Sequence, residues 1–160
     1  MSEFSEIVQE EFSFVVHDYV YELDHVDSTP WCDEVVFINH AFGIGLRIAY
    51  ERQESHVFIT FHKLLNGNIR NNKLPVSERS TIYSYDFDDL LPASIRMKPS
   101  YEYPSNSKFF GEQNGFRLFV REFASRLKSY GHSALSGDQS CFNIASVKIK
   151  LRAKQLDDDI

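Results

Sequence analysis

Two runs of alternating apolar residues around a compact polar turn constrain this chain most. Ile44, Leu46, Ile48 and Tyr50 are apolar, and the intervening Gly45, Arg47, Ala49 and Glu51 are small or charged. That two-residue period belongs to a strand with one buried face. Val57, Ile59 and Phe61 repeat it. Arg52, Gln53, Glu54 and Ser55 join the two runs at hairpin length, and Val35 to Asn39 leads into them across the Ala41 to Gly43 turn. The stretch from Asp33 to Lys63 is therefore expected to be an antiparallel meander. Its apolar face needs a cover, and segments of helical period flank it on both sides.

The fold class expected is α+β: an antiparallel sheet of four or five strands packed by an N-terminal helix and by C-terminal helices. At 160 residues and 42% apolar content the chain is long enough for one domain with a sizeable core, here read as residues 1 to 160 with a frayed tail from 157. Phe4, Val8, Phe12, Val15 and Tyr19 recur at three- and four-residue intervals, so one amphipathic helix is expected to about Tyr19, with Ser2 as its N-cap. Tyr19 to Asp24 is read as an edge strand. Arg70 to Ser80 is expected to form a long surface loop, and Asp86 to cap a short helix. Pro99 to Pro104 reads as extended, with Tyr101 and Tyr103 facing the same way.

Phe116, Phe119, Val120, Phe123, Leu127 and Tyr130 form the strongest helical stripe, and Gly131 stands where that helix should stop. The last segment fits two periods. Ala145, Val147, Ile149 and Leu151 alternate as in a strand, whereas Phe142, Ala145, Ile149, Ala153 and Leu156 fit a helix, which is the reading preferred here.

Charge is distributed unevenly behind a net value of −6. No Lys or Arg precedes Arg47, while that stretch carries Glu10, Glu11, Asp18, Glu22, Asp24 and Asp27 among its acids. Between Phe116 and Lys154 the balance is strongly basic. Either the two ends lie together and neutralise each other, or Glu10, Glu11, Asp18, Asp24 and Asp27 form an acidic face for a basic partner.

Candidates for chemistry are few. His56 and His62 share a strand face but stand about 20 Å apart at strand spacing, so an acid/base pair would need His40 to approach one of them. A small hydrolase or nuclease using these histidines is the alternative reading. Asp86, Asp88 and Asp89 lack the glycine and terminal Glu of a calcium loop, and Gly43-Ile44-Gly45 is no dinucleotide fingerprint. No cofactor and no metal is therefore expected. Nucleic acid is not an expected partner of so acidic a chain, because its phosphates would be repelled. Only Cys32 and Cys141 are present, without zinc spacing, which suits two free thiols in a reducing cytoplasm. The acidic start lacks the pattern of a signal peptide, and no apolar run is long enough for a membrane span.

The segments Ile82 to Leu91, Lys98 to Tyr103, and Asn114-Gly115 through Leu118 to Leu127 resemble a family of small uncharacterised bacterial α+β proteins. The resemblance covers much of the chain and implies an immunity protein, one that neutralises the cognate domain of a contact-dependent or polymorphic toxin system. It carries no catalytic motif and gives no residue a role. A basic toxin domain would gain speed and specificity from a complementary acidic face.

Overall fold

The computed structural model describes residues 2–111 and 113–158. Its centre is the meander β1 (Glu22–Ser28), β2 (Cys32–Asn39), β3 (Ile44–Glu51) and β4 (His56–Leu65), each strand antiparallel to the next. Two short strands then pair with β4: β5 (Asn68–Ile69) at its end, and β6 (Ser84–Asp86) along Thr60 to His62. Val35 faces Ile48 and Ile48 faces Ile59, while Phe37 faces Leu46 and Leu46 faces Phe61. This is the expected register. Ile44, Leu46, Ile48, Val57, Ile59 and Phe61 all lie buried on one face, each contributing roughly 1.5–3 kcal/mol through transfer from water.

Helices cover that face. In α1 (Glu3–Glu11) Ser2 is the N-cap, its Oγ accepting the Ser5 amide at 3.1 Å, and Phe4, Ile7 and Val8 are buried. The helix does not run on to Tyr19. Phe12 leaves helical geometry and α2 (Ser13–His17) restarts after it. Phe12, Phe14 and Val15 are all buried, and residues two apart point to nearly opposite sides of a straight helix. Breaking the helix at Phe12 lets both rings enter the core, where they stack at 6.2 Å.

The main cover is α3 (Gly115–Tyr130), which buries Phe119, Val120, Phe123, Ala124 and Leu127. Tyr130, expected to extend the stripe, is exposed at the last turn. Gly131 ends the helix with its amide donating to the Leu127 carbonyl at 2.8 Å. Two further helices follow, α4 (His132–Leu135) and α5 (Gln139–Asp158). The helical period thus prevails in the last segment. Cys141, Phe142 and Ala145 enter the core, while Val147 and Leu151 stay exposed. Beyond its buried first turns α5 is held by polar contacts: Lys148 Nζ donates to the Asp89 carbonyl at 2.6 Å and Lys150 Nζ to the Glu78 carbonyl at 3.0 Å.

Three local expectations are corrected. The edge strand runs from Glu22 to Ser28 rather than from Tyr19 to Asp24, because Val20, at φ 62°, turns the chain before pairing begins. Ser100–Glu102 is a 3-10 turn, which leaves Tyr101 exposed while Tyr103 is half-buried and accepts the Lys98 amide at 3.1 Å. Asp86 does precede a 3-10 turn, Phe87–Leu90, but its side chain makes no capping bond. The long loop is anchored midway, since Asn72 accepts from the Tyr83 and Ser84 amides at 2.7 and 3.0 Å and donates to the Ser84 carbonyl at 2.8 Å. Asp159, part of the expected frayed tail, lies outside the described residues.

The opposite face of the sheet is partly covered too. A Cβ at Gly45 would run into Ile69 Cγ2 and come within 3.3 Å of Leu64 Cδ2, so β5 packs across β3 only because residue 45 is glycine. Ile48→Ala should cost about 2–5 kcal/mol through the cavity it leaves, and Gly45→Ala should also destabilise by forcing β5 away. Chemical denaturation checks both. An unchanged midpoint for either variant would contradict this register.

Candidate functional site

Of the five acids considered for partner binding, two are tied to another helix. Glu11 receives Arg117 Nη1 at 3.0 Å and both Nε and Nη2 of Arg121, at 3.1 and 3.0 Å; Arg117 also reaches Glu10 at 2.8 Å. α1 and α3 both pack on the sheet, so their polar faces meet at its rim. The Arg121 and Arg117 hydrogen bonds hold the Glu11 carboxyl below its ordinary range against the opposing effect of burial. The acidic start and the basic helix therefore neutralise each other here. The cations of α5 go elsewhere: Arg152 clasps Asp89 at 2.6 and 3.0 Å, and Lys154 lies 3.9 Å from Glu78.

Asp18, Asp24 and Asp27 are exposed, Asp18 just after α2 and the other two on β1. β1 ends the sheet, with β2 on one side and no strand paired on the other among the described residues. Its path depends on a bulge. Leu23 pairs with Phe37, His25 with Val36 and Val26 with Val35, which leaves Asp24 as the extra residue. In a regular strand Leu23 and Val26, three apart, would point to opposite faces; with the bulge both follow the inward Phe37 and Val35. Asp24 is thereby set at the rim. It accepts from His25 Nδ1 at 2.6 Å, and this bond, foremost among several carboxylate contacts, raises the His25 pKa. Asp27 Oδ1 accepts the Ser28 amide at 2.9 Å.

The nearby arginines are already engaged by other acids. Arg52 pairs with Asp33 at 2.6 Å, and Arg47 Nε with Glu34. Among the described residues no Lys or Arg pairs with Glu22, Asp24 or Asp27. Three apolar side chains flank them: Val20 and Trp31 are each 74% exposed and Leu23 43%. Sequence reasoning placed neither Glu22 nor Trp31 in the site. The signal it could have used is the spacing of Leu23 and Val26 in a β-prone segment, which demands a bulge and hence an irregular edge.

The three candidate histidines are not brought into an acid/base pair. His56 lies at the start of β4 opposite Glu51, His62 towards its far end opposite Gly45, and His40 is exposed in the β2–β3 turn. The His62 ring is engaged by Thr60 Oγ1 and by the Arg70 carbonyl, each at 2.9 Å, and burial lowers its pKa. Among the described residues no group of three or more His, Cys, Asp or Glu is placed to hold a metal ion, and no helix is long and apolar enough to cross a membrane. Comparison with family models, curated proteins and solved structures finds no match to this chain.

The helix-bridging role of Glu11 has a pH signature. A carboxyl whose folded pKa is lowered stabilises the fold above its unfolded value and stops doing so as the pH falls through the folded one. Glu11→Gln should lower stability at neutral pH by less than about 1 kcal/mol, since the guanidinium partners stay solvated. The difference from wild type should begin to shrink as the pH falls below the ordinary glutamate value of about 4.3 and vanish only once the pH is below the lowered folded value. Melting curves at neutral and acid pH test this, and a difference that persists in acid would contradict the bridge.

Proposed function

We propose that this chain is a protein-binding module acting as an immunity protein: it docks a basic bacterial toxin domain against the acidic edge of its sheet and so neutralises it. The observation that carries the proposal is β1, a terminal strand whose three exposed carboxylates have no Lys or Arg partner among the described residues and whose neighbours include Trp31. Unpaired main-chain groups on such an edge offer hydrogen bonds to an extended segment. The carboxylates would steer a basic partner and discriminate against acidic ones.

Charges and a bulge on an edge strand also guard against edge-to-edge aggregation. Protection alone does not call for a large exposed aromatic beside the edge, whereas Trp is among the residues that most often carry binding energy at interfaces. Asp18, Asp24 and Asp27 are assigned to capture. Glu10 and Glu11 serve the α1–α3 contact first. A bacterial cytoplasmic setting belongs to the same proposal and fits the free thiols of Cys32 and Cys141.

The test is kinetic. With a basic protein recovered by copurification, stopped-flow association should slow steeply as salt rises, because exposed charges are screened over about 8 Å at physiological ionic strength. Asp24→Lys with Asp27→Lys should reduce the low-salt on-rate by about tenfold or more while leaving the melting temperature nearly unchanged. Glu78→Lys should have a smaller effect. Salt-independent association, with the doubly reversed variant binding normally, would refute the docking edge.

A further inference from the structure

The outer side of α5 is apolar and uncovered. Its inner side carries Cys141, Phe142 and Ala145 into the core and leans Ile149 against it. Ile144, Val147 and Leu151, three and then four residues apart, share the opposite side of the cylinder, and they are 51%, 60% and 55% exposed. The helix is thus apolar on two sides, whereas a surface helix ordinarily has one such stripe. This explains why its sequence fits a strand period as well as a helical one: Ala145 and Ile149 belong to the inner side, Val147 and Leu151 to the outer. The second stripe is part of no site described above.

The charges at the two ends of the stripe indicate what it faces. Asp138 stands exposed just before α5, its Oδ1 accepting the Ser140 amide at 2.9 Å, and no Lys or Arg pairs with it among the described residues. Lys154 is exposed at the other end, where its nearest carboxylate, 3.9 Å away, is the exposed Glu78. At 1.5 Å per residue Asp138 lies about 14 Å before Val147 and Lys154 about 11 Å after it. About Val147 the stripe is therefore nearly symmetric in its apolar residues and opposite in charge at its ends. The remaining cations are drawn off it, Lys148 and Lys150 onto the carbonyls of Asp89 and Glu78 and Arg152 onto the Asp89 carboxylate.

We infer that the outer face of α5 is a self-association surface, on which a second copy of this chain packs its own α5 antiparallel about a twofold axis near Val147. That arrangement sets Ile144 against Leu151 of the second copy, Val147 against its own counterpart, and Lys154 within side-chain reach of Asp138, each heterologous contact occurring twice. A parallel pair would bring like charges together at both ends and align the two helix dipoles. The contact is about 25 Å long and one helix wide, about 10 Å, which falls short of the roughly 800 Å² per partner of a standard interface. The dimer is accordingly weak and reversible. α5 packs on β6 and on the Phe87–Leu90 turn, so this face is separate from the docking edge on β1 and does not rest on that reading.

Sedimentation of the full chain over a concentration series tests this. The mean mass should rise from that of the monomer towards twice that value, with half-association on the order of 100 µM for so small an interface. Val147→Glu with Leu151→Glu should abolish the rise, because the contact would then bury unpaired carboxylates, while the melting temperature stays near that of wild type, both side chains being exposed. Asp24→Lys with Asp27→Lys on β1 should associate as wild type does. In a mixture of isotope-labelled and unlabelled wild-type chain, the Ile144 and Leu151 methyl groups should show NOEs between copies; within one helix they stand about 10 Å apart, too far for a strong one. The NOEs need no variant. A chain that stays monomeric to about 1 mM, whether or not it binds anionic lipid vesicles, would overturn the proposal, as would a dimer that survives Val147→Glu with Leu151→Glu, or one that shows Leu151 against Leu151 in place of Ile144 against Leu151.

Discussion

The pairing of β3 with β4, Leu46 opposite Phe61 and Ile48 opposite Ile59, is the constraint on which the rest of the structure depends. A slip of one residue would turn the whole apolar set to solvent and bring Arg47, Thr60 and His62 inward. With the register set, α1, α2 and α3 have a face to cover, and their own irregularities follow from covering it. The break at Phe12 is such a consequence, and so is the bulge at Asp24 in β1. At Phe12 regular geometry gives way so that both rings reach the core, and at Asp24 it gives way so that Val26 packs against the core while Leu23 stays largely exposed.

The charged groups sort according to the same scaffold. Where two elements meet on the sheet, acids and bases pair: Glu11 with Arg117 and Arg121, Asp89 with Arg152, Asp33 with Arg52. Exposed or partly exposed pairs of this kind contribute modestly to stability and mainly fix how the elements sit. Among the described residues, the carboxylates without a Lys or Arg partner include the three of the outer strand β1, Glu22, Asp24 and Asp27. It is from this position that binding of a basic protein has been argued.

Much of this was legible in the chain. The alternation of β3 and β4 is strict because each strand has one buried face, and α1 announces itself through Ser2, Glu3 and Glu6 at its start. What could not be read locally had nonlocal causes. Nothing in Phe12-Ser13-Phe14 says that two rings two residues apart must both be buried; the core decides that. The excess of acid before Arg47 is plain, yet only the packing of α1 against α3 separates Glu10 and Glu11 from Asp24 and Asp27.

The account centres on β1 as an open edge. Native-state hydrogen exchange followed by NMR measures this directly, because amides that bond to water exchange from local openings while those in the sheet interior need far larger ones. The β1 amides that do not bond to β2 should exchange at least about a hundredfold faster than those shared between β3 and β4, a gap of roughly 2.7 kcal/mol in opening free energy. Protection of those β1 amides equal to that of the sheet centre would mean that the edge is covered, and would contradict the account.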